Sequence, residues 1–128
     1  MSMISDFVKN IVAVGTGSFF GGIARYLVSL AMKGSAKGFP WGTLTVNLLG
    51  CFLIGLLWGA FSRLSGEGNH WTLLLTVGFC GGFTTFSTFS KEALLLMQGG
   101  NVWGCIAYVA VSVVVGIALV AAGYFLVR

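Results

Sequence analysis

Gly78-Phe79-Cys80-Gly81-Gly82-Phe83-Thr84-Thr85-Phe86-Ser87-Thr88-Phe89-Ser90 lies in the middle of a long apolar stretch, and its reading decides the fold. Hydroxyl side chains and glycines cluster here, where the midplane of a bilayer would lie. Gly-Gly followed by Thr-Thr is a poor continuous helix. An interrupted helix leaves backbone carbonyls unpaired, which hydrocarbon does not tolerate. Those carbonyls must be covered by protein, face water or bind an ion, and discontinuous helices that offer carbonyls to a cation are a known device. The run therefore predicts a broken membrane helix inside an all-α integral membrane protein.

The rest of the chain supports lipid as the solvent. Of 128 residues, 57% are hydrophobic and 8% charged, against about 25% charged in a soluble domain. Four apolar stretches, 11–32, 41–61, 71–97 and 102–127, are each long enough to cross about 30 Å of hydrocarbon. Short polar links join them. Trp41, Trp71 and Trp103 stand at segment starts, as interfacial aromatics do. The first stretch is too long, and too directly followed by others, for a cleaved signal peptide. The expectation is one four-helix transmembrane domain over residues 1–128, with no soluble enzyme domain in the links.

Charge placement bears on orientation. With four spans, Lys9, Arg63 and Arg128 fall on one side and Lys33, Lys37 and Lys91 on the other, while Arg25 lies within the first span. Topology follows an imbalance of Lys and Arg, and here it is almost absent. Two readings stay open: insertion both ways up, which permits an antiparallel dimer with its axis in the membrane plane, or one orientation chosen by a small bias. The net charge of +4 is scattered one residue at a time; it reads as interfacial anchoring and gives no nucleic-acid patch.

Catalysis finds no support. The single His70 is in a loop, and the acids Asp6, Glu67 and Glu92 are not central to a span, so no hydroxyl or thiol has a base beside it. Gly15-Thr16-Gly17-Ser18-Phe19-Phe20 begins like a dinucleotide loop but lacks the third glycine and the strand–helix context. Cys51, Cys80 and Cys105 are odd in number and form no CxxC pair, which makes them apolar fillers rather than a disulfide or metal set. Proton-coupled transport needs an acid within the span, and Glu92 is the nearest.

What remains is uncharged and polar. Phe83, Phe86 and Phe89 are spaced by three, as are Ser87 and Ser90, so an aromatic stripe should run beside a hydroxyl stripe. Phenyl edges carry partial positive charge, and hydroxyls donate hydrogen bonds to the same anion. Core packing and helix–helix hydrogen bonding account for the same spacing. Thr43, Thr45 and Asn47 precede Gly50, Gly55 and Gly59; an Asn at this depth needs partners, and Gly55 with Gly59 is a GxxxG packing pair. Arg25 could draw anions in, but it is read rather as snorkelling or as capping buried carbonyls. Tyr108, Ser112 and Gly116 share a face of the fourth span.

Three motifs now identify a family. Gly22-Ile23-Ala24-Arg25-Tyr26, Trp41-Gly42-Thr43-Leu44-Thr45-Val46-Asn47-Leu48-Leu49-Gly50, and Gly78 to Ser90 followed by Lys91-Glu92 resemble the Fluc or CrcB proteins, small bacterial fluoride channels, over essentially the whole chain. The resemblance implies a dual-topology antiparallel homodimer with two pores in the bacterial inner membrane, exporting fluoride passively. It implies a structural sodium ion at the dimer centre, held by the carbonyls of Gly81 and Thr84. It implies pore roles for Phe86, Phe89 and Asn47, a hydroxyl track through Ser87, Thr88, Ser90, Tyr108 and Ser112, a vestibule at Thr43, and Glu92 near a pore mouth. Gly116 stands where some members carry a hydroxyl. Two other readings remain: a small cation or drug exporter that depends on Glu92, and a non-conducting assembly subunit.

Overall fold

A computed structural model describes residues 3–33, 38–64 and 70–128. Lys37 and Glu67, with the rest of the links at 34–37 and 65–69, lie outside the described residues. The described residues are all helical in their regular structure. The first helix, α1, spans Met3–Ala31, and the second, α2, spans Trp41–Leu64. The third span runs His70–Gln98; its residues 70–83 are α3 here, and Phe86–Gln98 is α4. The last helix, α5, spans Val102–Val127. Four spans are long and apolar enough to cross a bilayer, so this is a multi-pass membrane protein.

The helix ends differ from the apolar limits in a consistent way. α1 begins at Met3 rather than near 11, α2 runs on to Leu64, and α3 starts at His70. An apolar count marks only the hydrocarbon slab, whereas a helix continues into the headgroup layer, where water serves its terminal groups. Sharp stops occur where capping chemistry exists. Pro40 precedes α2, and its carbonyl accepts the Leu44 N–H at 3.1 Å. Between α4 and α5 the chain reverses in a few residues. Gly100 takes φ +84°, which only glycine adopts at no cost. The Asn101 N–H returns to the Leu96 carbonyl at 2.9 Å, and the Asn101 side chain accepts from the Gly104 N–H at 2.9 Å. One turn thus closes α4 and caps α5.

Two helix pairs form the bundle: α1 packs on α3, and α2 packs on α5, with α4 leaning on α5. Lipid provides no hydrophobic drive between helices, so close backbone approach must supply the contact. A Cβ added at Gly17 would fall on the Leu74 carbonyl, and one at Gly21 on the Phe79 carbonyl. From the other side, a Cβ at Gly78 would lie 2.8 Å from the Val14 carbonyl, and one at Gly82 2.7 Å from that of Ser18. Gly55 and Gly59 do the same between α2 and α5, against the carbonyls of Val120 and Tyr124; the pair works as packing. Large apolar side chains on the outside, such as Phe19, Phe20, Val114 and Ile117, are exposed, as a lipid-facing surface requires. Trp71 and Trp103, at helix starts, are exposed as well. Cys80 and Cys105 are buried free thiols and Cys51 is a partly buried one.

The third span departs from a regular helix twice. Residues Leu74–Cys80 are wound as a π-helix. Thr84 (φ −98°, ψ 161°) and Thr85 (φ −151°, ψ 123°) are extended. Gly81 and Gly82 remain helical. The irregular residues are thus the two threonines, and the glycines beside them are present for contact with α1. An extended pair also carries Phe86 away from the face of Phe83. Phe83 is buried and stacks on Phe79 at 5.8 Å and 13°, so the expected stripe of Phe83, Phe86 and Phe89 is only Phe86 and Phe89, 5.7 Å apart.

Candidate functional site: a groove beside the interrupted span

Extended backbone at membrane depth needs partners, and side chains from two other helices provide them. Asn47 of α2 treats Thr85 as a neighbouring strand would: its Oδ1 accepts the Thr85 N–H at 2.8 Å and its Nδ2 donates to the Thr85 carbonyl at 3.1 Å. Arg25 of α1 donates from Nε to the Gly82 carbonyl at 3.0 Å, so it caps a carbonyl. The Cys80 carbonyl receives both the Thr84 N–H at 3.0 Å and the Thr84 hydroxyl at 2.9 Å. Ser18 reaches the Gly78 carbonyl at 3.4 Å. Thr85 then caps α4, its hydroxyl oxygen accepting the Thr88 N–H at 3.3 Å. Each orphaned group in hydrocarbon costs several kcal/mol on the order of about 2–7, which is why this knot is so densely bonded.

Beside it runs a groove of about 530 Å³, lined by Asn47, Gly50, Cys51, Ile54, Thr76, Val77, Cys80, Gly81, Thr84, Thr85, Phe86, Phe89, Ser112 and Val113. Among the described residues no ionised side chain lines it. Among the expected residues it gathers Asn47, Gly81, Thr84, Phe86, Phe89 and Ser112. The Ser112 hydroxyl is buried and has no hydrogen-bond partner among the described residues. Phe86 is 79% exposed, an unusual state for a ring next to a site. Gly81 is exposed, and a Cβ there would meet nothing within 4 Å.

Tyr108 and Thr43 are buried one layer behind. The Tyr108 ring lies 5.0 Å from Phe89 and 5.6 Å, edge-on, from Phe39. Its hydroxyl donates to Glu92 Oε1 at 3.1 Å. Glu92 borders a second groove of about 400 Å³ with Gly38, Phe39 and Pro40, near the end of the span. Phe89 and Tyr108 therefore stand between a polar opening and the uncharged groove. Ser87, Thr88 and Ser90 are not in the groove: Ser87 and Ser90 are exposed on α4, and the Ser87 hydroxyl lies 3.3 Å from that of Thr85.

Sequence reasoning passed over Thr85, which both takes the Asn47 clamp and caps α4. The signal was a hydroxyl residue directly before a helical segment, the ordinary mark of a helix start. It also passed over Thr76, Cys51, Cys80 and Phe39, which carry no pattern of their own.

The comparisons with known proteins agree with one another. Residues 12–124 match the family described as CrcB-like protein, Camphor Resistance. The chain is 47% identical over 124 residues to a fluoride-specific ion channel FluC of Chlorobaculum tepidum, covering 94% of this chain and 96% of that protein. It is 40% identical over 121 residues to the one of Desulfotalea psychrophila, covering 94% of each. It is 41% identical over 125 residues to one from Leptospira interrogans, covering 96% and 98%.

Proposed function

The chain belongs to the CrcB-like protein family, and from that membership we propose that it is a fluoride-selective channel, not an enzyme, that lets fluoride leave the cytoplasm passively through the bacterial inner membrane. The observation that carries the reading is the uncharged groove beside the interrupted span, with Asn47, Thr84, Phe86, Phe89 and the unpartnered hydroxyl of Ser112 along it.

The chemistry of the residues suits a small, strongly hydrated anion. Stripping water from fluoride requires replacement donors, and conduction requires that they release it again. A buried lysine or arginine facing the path would hold the ion too tightly. Ser112 offers a free hydroxyl, and Phe86 and Phe89 offer ring edges. Asn47 spends its amide on Thr85, so its first duty is to hold Thr84 and Phe86 in place; one N–H of the amide is left for an anion. Tyr108, with Thr43 and Glu92, forms the polar route from the outer opening, and Ser87, Thr88 and Ser90 belong to the surface that a second copy would complete.

The working unit in this reading is an antiparallel homodimer with two pores. A partner across the groove would cover both the exposed Phe86 and the open groove. The main-chain oxygens of Gly81 and Thr84 from both copies would hold a sodium ion at the dimer centre. The fit rests on the exposure of Gly81 and on the hard oxygen character of carbonyls, which suits such a cation. When bound, that ion supplies positive charge that offsets the anion without lying in its path. Gly81→Ala separates these ideas from simple packing: one copy has room for the methyl, so loss of the dimer or of sodium-dependent flux would come from the partner side, and an unchanged dimer with unchanged sodium dependence would count against both.

Anion efflux from liposomes containing the purified chain, followed with fluoride and chloride electrodes, tests the function. Fast fluoride efflux with negligible chloride efflux is expected. A folded dimer that passes no fluoride would overturn the reading and return attention to Glu92 and proton-coupled export.

A further inference from the structure

At the end of the bundle where α2 and α5 finish, a second apolar groove of about 360 Å³ faces outward between them. Trp58 and Tyr124 form its wall, their rings 4.1 Å apart, and Phe125 meets Tyr124 edge-on at 5.0 Å. Ile117 forms part of its floor. Two guanidinium groups stand beyond its lining, at the ends of α2 and α5. Arg63 is exposed and donates to the Val127 carbonyl at 3.1 Å. Arg128 lies over the Tyr124 ring, 5.7 Å from its centroid. Both are therefore already held at one end of the groove before any ligand arrives. Asp6, the described acid at this end, is on α1, which packs on α3; Glu92 belongs to the opposite end, beside Pro40.

A hydrocarbon slot with aromatic walls at interfacial depth and two positive heads has the form of a phospholipid. Guanidinium matches phosphate oxygens in two-point geometry, and two cations with no acid beside them among the described residues favour a headgroup of net negative charge over a zwitterionic one. We propose that the groove bounded by Trp58, Tyr124, Arg63 and Arg128 is a binding site for an anionic phospholipid, with one acyl chain in the slot and the phosphate at the two arginines. The site is remote from the uncharged groove and does not rest on fluoride conduction.

The full chain, reconstituted in phosphatidylcholine vesicles, is titrated with brominated phosphatidylglycerol or brominated phosphatidylcholine, and tryptophan quenching is read. The share of Trp58 is taken as the difference from Trp58→Phe. Phosphatidylglycerol should be preferred at Trp58 by about fivefold, the scale of one arginine at a membrane surface. The preference should fall to near unity in R63Q/R128Q and persist in R63K/R128K. Equal quenching by the two lipids in the wild type would overturn the proposal and leave the arginines as caps of α5 only. Native mass spectrometry gives the same answer without replacing Trp58: retained phosphatidylglycerol should be lost in R63Q/R128Q, and equal retention would again overturn the site. Fluoride efflux from the same vesicles, measured separately, keeps failure here distinct from failure of the channel reading.

Discussion

The two halves of the third span meet their neighbours by opposite means. α3 lies on α1 backbone to backbone, with Gly17, Gly21, Gly78 and Gly82 leaving no room for a methyl group. α4 meets α5 through side chains, with Phe89 against Tyr108 and Tyr108 bonded to Glu92. The first contact is close and mostly main chain, and its polar side chains, Ser18 and Arg25, are spent on carbonyls of α3. The second brings rings, a phenol and a carboxylate together beside the groove. The difference shows how a chain of this size separates duties: the scaffold is built from what side chains lack, and the pathway from what they carry. The joint between the halves is the pair Thr84–Thr85, held by Asn47.

The comparison can be broken first at the scaffold. Gly21→Val should cost about 3 kcal/mol or more, since a main-chain carbonyl cannot yield to the new side chain; thermal unfolding in detergent would read it. Gly22→Ala is the control, because its Cβ meets nothing within 4 Å, and it should change stability by under about 0.5 kcal/mol. Equal midpoints for the two variants would mean that α1 and α3 are not held by close approach.

The joint comes next. Asn47→Ala strands both the N–H and the carbonyl of Thr85, at a cost of about 2 kcal/mol, and fluoride efflux should fall with it. Asn47→Asp keeps the acceptor but puts an ionisable carboxyl at membrane depth beside an anion path, so its efflux should fall at least as far. A smaller effect is expected at the cap: Thr85→Ala should cost about 1 kcal/mol and Thr85→Ser much less. Thr85→Ala as damaging as Asn47→Ala would mean that the cap, not the clamp, fixes the joint.

The pathway half should behave in the reverse way. Within one copy Phe86 is largely exposed, so Phe86→Ile should shift the stability of each copy's own fold by under about 0.5 kcal/mol. Efflux should nonetheless fall about tenfold, the equivalent of about 1.4 kcal/mol in the barrier. Normal flux from that variant would remove the ring edges from the account.

Much of this was legible in the sequence, for reasons that can be named. The spans follow from apolar length alone, and Gly55 with Gly59 is a spacing rule that the contacts with Val120 and Tyr124 satisfy. The place of irregularity was legible only to within a few residues. Gly81-Gly82 drew attention, but helix propensity cannot tell a glycine kept for contact with Ser18 from one kept for a bend. Thr84 and Thr85 are extended because Asn47, 38 residues earlier, can serve the exposed backbone. Partners so distant leave no local signature. The stripe of Phe83, Phe86 and Phe89 failed for the same reason, since three-residue spacing holds only while the helix continues.

The extended pair has one more effect. A helix that stops at mid-depth ends its alignment of peptide dipoles there, and each end carries about half an elementary charge. The carbonyl end of α3 and the N–H end of α4 meet at Thr84–Thr85, one negative and the other positive. Near the centre of the hydrocarbon layer, the protein thus holds a small separated charge of each sign that no titration can remove.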